Sequence, residues 1–87
     1  MFMYTAQLKA ARALLGIEQK DLANMTGLSL PTIKRMESNN LHRLSEGHVY
    51  ASADSLILLR ETLHREGVRF FSDGPDMVGV LLIRRTD

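Results

Sequence analysis

The chain has 87 residues, with 11 lysines and arginines against 10 aspartates and glutamates, and it contains no cysteine. A chain of this length forms one small core and does not divide into two independent domains. The lack of cysteine excludes a disulfide framework and a thiolate metal site, which favours a cytoplasmic protein. No apolar run approaches the roughly 20 residues of a membrane span, and we predict neither a metal nor a cofactor.

Charge is unevenly distributed along the chain. Residues 1–45 have a net charge of +3, whereas the remainder has a net charge of −2. We therefore expect a polyanionic partner to contact the first half of the chain.

Three short helices are predicted in the first half. Apolar residues at helical spacing indicate a first helix over residues 5–15, which ends before Gly16. A second helix is predicted over residues 19–25. Ser29 is a favourable N-cap for a third helix over residues 30–38, so that residues 5–38 form a helical unit.

The second half is predicted to contain a loop, a helix and a β-hairpin. Residues 39–51 show no sustained period, which is typical of a loop with at most one helical turn. The segment 52–66 has helical spacing and is followed by glycine. Over residues 67–85 the apolar period changes to two around a Gly-Pro turn, which predicts a hairpin. The predicted fold class is a single, mainly α domain of four to five helices followed by this hairpin.

Residues 19–38 have the layout of a helix-turn-helix. Ala23 is small where the next helix must cross, and Gly27 supplies the positive φ that the tight turn requires. The outer side of the following helix then carries a short polar and basic face. A face of this size and charge fits the major groove of DNA.

Residues 6–37 resemble the DNA-binding domain of the Cro/CI or xenobiotic-response-element (XRE) family of regulators. The residues in register with the family are Gln19, Ala23, Gly27, Ile33 and Met36. The resemblance implies a lambda-repressor-like domain. Residues 51–71 and 74–85 are similar to small bacterial members that end in a helix and a β-hairpin.

The resemblance also implies roles for individual residues. Arg35 would read a base, whereas Leu30 and Pro31 stand where glutamine or arginine is commoner, so apolar readout there would be weak. Arg12 and Glu37 would form a structural ion pair. The implied DNA-contacting residues are Gln19, Ser29, Leu30, Pro31, Thr32, Lys34, Arg35, Ser38 and Asn39.

Both faces of the predicted hairpin are apolar, and an isolated two-stranded hairpin is marginally stable in water. We expect one face to cover the fourth helix and the other to meet a second copy of the chain. The resulting homodimer would read an inverted repeat with half-sites about 34 Å apart. The predicted dimerisation residues are Phe70, Phe71, Val78, Val80, Leu81, Leu82 and Ile83.

Together these patterns predict a sequence-specific regulator of transcription that binds double-stranded DNA and represses a promoter by occluding it. Two alternatives remain open at this point. The first is an antitoxin that regulates its own promoter and binds a toxin partner, and the second is a protein-interaction adaptor that does not bind DNA. An enzyme is disfavoured because the sequence has no nucleophile elbow, phosphate-binding glycine loop or regularly placed carboxylate pair.

Overall fold

The computed structural model describes residues 3–38, 43–44, 53–73 and 76–84. Within these ranges the chain forms four helices followed by an antiparallel hairpin, which confirms the predicted fold class. Two further short strands precede and follow the first three helices. The elements are β1 (Met3–Tyr4), α1 (Thr5–Leu15), α2 (Gln19–Thr26), α3 (Leu30–Met36), β2 (Arg43–Leu44), α4 (Ala53–Arg65), β3 (Val68–Ser72) and β4 (Val78–Leu82).

Helix α3 is shorter than the sequence indicates because its last turn tightens. It ends at Met36 rather than at Ser38. The backbone N–H of Ser38 donates to the Arg35 carbonyl at 3.2 Å, and its hydroxyl donates to the same oxygen at 2.7 Å. A serine that satisfies a terminal carbonyl in this way closes the helix rather than extending it.

One hydrophobic core joins the four helices to the hairpin. Every helix contributes at least two buried apolar side chains, and the first residue of β3 completes the set. The buried apolar residues are Leu8, Ala11, Leu22, Ala23, Ile33, Met36, Leu56, Leu59, Leu63 and Val68. In the described part of the chain, no helix has both the length and the hydropathy that crossing a membrane requires.

The hairpin lies on two helices rather than on α4 alone. Strand β3 contacts α4, as expected, but β4 lies along α1. In the observed register Val68 faces Leu82 and Phe70 faces Val80. These four side chains therefore share the face that is turned toward the core.

The orientation of the hairpin divides the residues predicted for dimerisation between two faces. Phe70, Val80 and Leu82 pack against the core, and Val78 alternates onto the same side. These four residues therefore lie on the inner face of the hairpin. The sequence prediction includes residues of both faces because both are apolar, so the alternation alone does not tell the inner face from the outer face.

Strands β1 and β2 form a short antiparallel pair that the sequence does not predict. Met3 pairs with Leu44 and Tyr4 pairs with Arg43. A two-residue strand is too short to show an alternating pattern. This pair places a strand within the segment expected to be a loop, and the other residues of 39–51 lie outside the described residues.

Gly67 makes the junction between α4 and β3. Its φ of +99° is disfavoured for any residue with a side chain, and a Cβ there would clash with the carbonyl oxygen of Ile83. The backbone N–H of Ile83 donates to the Gly67 carbonyl at 2.8 Å. The helix is thus joined to both ends of the hairpin by close backbone contact.

Candidate nucleic-acid interface

Helices α2 and α3 and the turn between them form the helix-turn-helix. Gly27 ends α2 at φ +81°, and its N–H donates to the Ala23 carbonyl at 2.8 Å. Nothing lies within 4 Å of the position that a Gly27 Cβ would occupy, so the backbone conformation, not space, requires glycine there. Ala23 is buried, as a close helix crossing demands.

Helix α3 divides cleanly into a buried and an exposed side. Ile33 and Met36 are fully buried in the core. Pro31, Lys34 and Arg35 are exposed on the opposite side. The exposed side therefore presents the proline ring and two cationic side chains, and the helix itself contains no carboxylate.

The start of α3 is capped and carries a small polar network. The Ser29 hydroxyl accepts the backbone N–H of Thr32 at 3.2 Å, and the Ser29 and Thr32 hydroxyls are 2.8 Å apart. Arg35 Nη2 donates to the Thr32 hydroxyl at 3.4 Å. The guanidinium is thus lightly held above the first turn and keeps most of its five N–H donors for a ligand.

An open cleft separates the first turn of α2 from α3. Its side chains include Gln19 and Lys20 from α2 and Lys34 from α3. Lys20 lies 3.5 Å from the carboxylate of Glu18, and both side chains are highly exposed, so this pair binds weakly. The full lining is Arg12, Glu18, Gln19, Lys20, Leu30 and Lys34. A cleft with this charge suits a phosphate group of a nucleic-acid backbone.

Beside the cleft, a buried ion pair connects α1 to the residue that follows α3. Arg12 Nε and Nη2 donate to the two carboxylate oxygens of Glu37, each at 2.7 Å. Gln19 Nε2 donates to Glu37 Oε1 at 3.2 Å. Only 2% of the Glu37 side chain is exposed, against 21% for Arg12. The arrangement fixes α1, the start of α2 and the end of α3 relative to one another.

The ion pair also affects protonation. The hydrogen bond to Glu37 raises the pKa of Arg12, with burial acting in the opposite direction. Because the pKa of the folded state is the higher one, the stabilisation is complete below the pKa of the unfolded chain and is lost only in strong alkali. Arg12 therefore stays charged throughout the physiological pH range.

The structure brings most of the residues implied by the family resemblance into two groups. Gln19, Leu30 and Lys34 line the cleft. Ser29, Thr32 and Arg35 form the network at the start of α3. Pro31 is exposed in the first turn of α3, and Ser38 is exposed beyond its last turn. Asn39 lies outside the described residues.

Two features of the interface were not found from sequence. Lys20 joins Gln19 at the cleft, and its position in the first turn of α2 was the available signal. The start of α2 is also capped, although Glu18 is not a favourable N-cap residue. The carboxylate of Asp21 accepts the N–H of Glu18 at 2.8 Å, so an acidic residue three positions after the cap supplies the missing bond.

The outer hairpin face, which consists of Phe71, Met77, Leu81 and Ile83, is a second exposed surface of a different kind. These side chains are between 44% and 59% exposed. Arg69 precedes Phe71 by two residues and Asp73 follows it by two, where the ladder continues through the Asp73 N–H and the Met77 carbonyl. This surface is apolar in its centre and has charges at its ends.

Comparison with known proteins agrees with this geometry. The helix-turn-helix family model HTH_3 matches residues 8–63, which include all of α2 and α3 and most of α1 and α4. No match was found among curated proteins or among solved structures. Because the matched segment covers more than half of the chain, the protein belongs to the helix-turn-helix family of Cro/CI (XRE) type, a family of DNA-binding regulators.

Proposed function

We propose that the protein is a sequence-specific repressor that binds an inverted repeat in double-stranded DNA as a homodimer in the cytoplasm. The observation that carries this proposal is the division of α3 into a buried apolar side and an exposed side with Lys34 and Arg35. A seven-residue helix with this division presents its polar side to solvent without exposing the core. The major groove of DNA admits such a helix.

In this proposal α3 enters the major groove and the cleft beside it receives the DNA backbone. Arg35 donates to a guanine edge, while Pro31 and Leu30 make apolar contacts. Lys20 and Lys34 neutralise phosphates from the two sides of the cleft. Gln19 has one amide N–H engaged with Glu37 and uses the other for a phosphate oxygen.

The outer hairpin face supports the homodimer. Four apolar side chains that are about half exposed on a two-stranded sheet are unusual on a monomer of this size. In the proposed dimer a second copy covers them, and each α3 helix binds one half-site of the inverted repeat. Binding across the promoter would then exclude the polymerase, which is the simplest route to repression.

The test is a binding titration with a duplex selected from random DNA. Arg35→Ala is expected to relax specificity at one base position, at a cost of about 1–3 kcal/mol. Lys34→Ala is the matched control on the same helix, because it should weaken binding to all sequences alike and reduce the salt slope by about one. Equal affinity of the wild type and Arg35→Ala for selected and random duplexes would contradict the role of Arg35.

One observation favours a second candidate function. The exposed apolar hairpin also suits a protein partner other than a second copy, as the antitoxin alternative requires. Co-expression with the product of an adjacent small reading frame, followed by purification, would identify such a complex. The adaptor alternative predicts no salt-dependent binding of DNA, so the titration above also decides that point.

A further inference from the structure

The charges of the hairpin are ordered along its length. At the tip, where β3 gives way to β4, Asp73 and Asp76 are exposed. At the base, where the hairpin leaves α4, the exposed or half-exposed charges are mainly positive. The base carries Arg65, Arg69 and Arg84, with Glu66 as its one described carboxylate.

This order is visible within a single strand. Arg69 and Phe71 are two residues apart in β3, so they point to the same side of the hairpin. The N–H of Asp73 donates to the Met77 carbonyl at 2.7 Å, which continues the ladder and puts Asp73 two residues beyond Phe71 toward the tip. Phe71 therefore stands between a cation toward the base and an anion toward the tip. Among the described residues, the structure shows no ion pair for any of these charged groups.

The centre of the surface is apolar. The ring of Phe71 lies across Gly79 on the neighbouring strand, where an added Cβ would clash with it. Leu81 and Ile83 continue the apolar strip toward the base. The ring thus covers the glycine and keeps the centre of this face continuous and apolar.

Arg69 is held in place at the base. Its Nη1 donates to the carbonyl of His64 at 3.0 Å and to the carbonyl of Val68 at 3.1 Å. Both acceptors belong to the junction between α4 and the hairpin. The guanidinium is thereby fixed beside the outer face, and its remaining donors can meet a carboxylate.

We propose that the outer hairpin faces of two copies pack antiparallel, so that the aspartates at the tip of each hairpin meet the arginines at the base of the other. A two-fold interface contacts the same surface on both subunits, and a surface with opposite charges at its two ends matches itself only in the antiparallel sense. The parallel arrangement would instead place the tip aspartates against one another. The arrangement rests on the homodimer of the proposed function and specifies its geometry.

The experiment measures self-association of the full chain by sedimentation. A tip variant carries Asp73→Lys and Asp76→Lys, and a base variant carries Arg69→Glu and Arg84→Glu. Each variant alone should raise the dimer Kd by about tenfold or more, because two attractive contacts per dimer become repulsive. The variant that combines all four substitutions should recover the dimer, since each lysine tip then meets a glutamate base.

Circular dichroism checks that each variant folds. If the base variant does not fold because Arg69 no longer caps α4, Arg84→Glu replaces it both alone and in combination. A monomeric wild type, a tip variant that dimerises like the wild type, or a combined variant that fails to recover would each overturn the arrangement.

DNA binding separates this proposal from the one it rests on. The tip variant leaves α3 and its cleft intact, so it should still bind random double-stranded DNA with a steep salt dependence. If that binding persists while the charge exchange fails, only the antiparallel arrangement is wrong. If the wild type does not bind DNA, the proposed function is wrong, whatever the result of sedimentation.

Discussion

The helix-turn-helix and the hairpin share one core but differ in where their charged and apolar side chains lie. The ion pair between Arg12 and Glu37, which ties the helix-turn-helix to α1, is buried, whereas the exposed side of α3 is polar and basic. In the hairpin the described charges lie at the surface and the exposed centre is apolar. The first surface suits a polyanion and the second suits another protein.

The two regions also differ in what fixes their position. The position of the helix-turn-helix depends on a charged network in which two nitrogens of Arg12 and one of Gln19 donate to the two carboxylate oxygens of Glu37. The hairpin depends on apolar burial together with Gln7, whose Nε2 donates to the carbonyls of Phe71 at 2.8 Å and Gly79 at 2.9 Å. The same side chain accepts the N–H of Tyr4 at 2.9 Å. Removing these hydrogen bonds one at a time tests whether the stability of one region depends on the other.

The largest effect is expected from Glu37→Ala. It leaves the Arg12 guanidinium partly buried without its partner, and loss of one member of a buried pair costs about 3–5 kcal/mol. Urea denaturation measures the change in the free energy of unfolding. The control is Lys20→Ala, which removes an exposed pair and should change stability by less than about 1 kcal/mol. Equal effects of the two substitutions would mean that the buried pair does not organise the region.

A smaller loss is expected from Gln7→Leu. The substitution keeps the volume but leaves two hairpin carbonyls and one N–H without their present partner, which costs about 2–3 kcal/mol. Hydrogen exchange should show faster opening of β3 and β4 than of α2 and α3. Uniform acceleration in all four elements would show instead that the hairpin and the helix-turn-helix open as one unit.

The smallest effect is expected from Ser29→Ala, which removes the cap of α3 and costs about 1 kcal/mol. Because the cap lies within the DNA-binding region, the loss should appear in DNA affinity as well as in thermal denaturation. Ser29→Asp is a suitable comparison, because aspartate caps equally well but would repel phosphate. Retained stability with weakened DNA binding in Ser29→Asp would place this position next to the backbone of the nucleic acid.

The sequence predicted the elements that have local signals. Ser29 and Gly27 mark the ends of α3 and α2, and the change of period after Gly67 marks the hairpin. It did not predict the contact of β4 with α1, since Gln7 lies 64 and 72 residues away from the carbonyls that it binds. The sequence likewise does not separate the outer face of the hairpin from the inner face, because both are apolar and only the tertiary packing distinguishes them.

For the interface, the resemblance supplied residue identities and the structure supplied their grouping. The cleft between α2 and α3 depends on how two helices cross, which no spacing pattern reports. The sequence pattern therefore does not show that Lys20 and Lys34 line the same cleft. The cap of α2 likewise depends on a residue beyond the N-cap position, because the carboxylate of Asp21 accepts the N–H of Glu18.

The close junction at Gly67 makes the orientation of the hairpin depend on the length of α4. Only two residues separate the end of the helix from the start of β3, and backbone contact with Ile83 removes any slack. One residue inserted into α4 would rotate the hairpin by about 100° and move it by about 1.5 Å relative to α3. In the proposed dimer, a change in the length of α4 would therefore alter the operator spacing only in discrete steps, each with a rotation of the hairpin. An insertion of about seven residues, close to two full turns, would be the smallest to keep the hairpin facing nearly the same way.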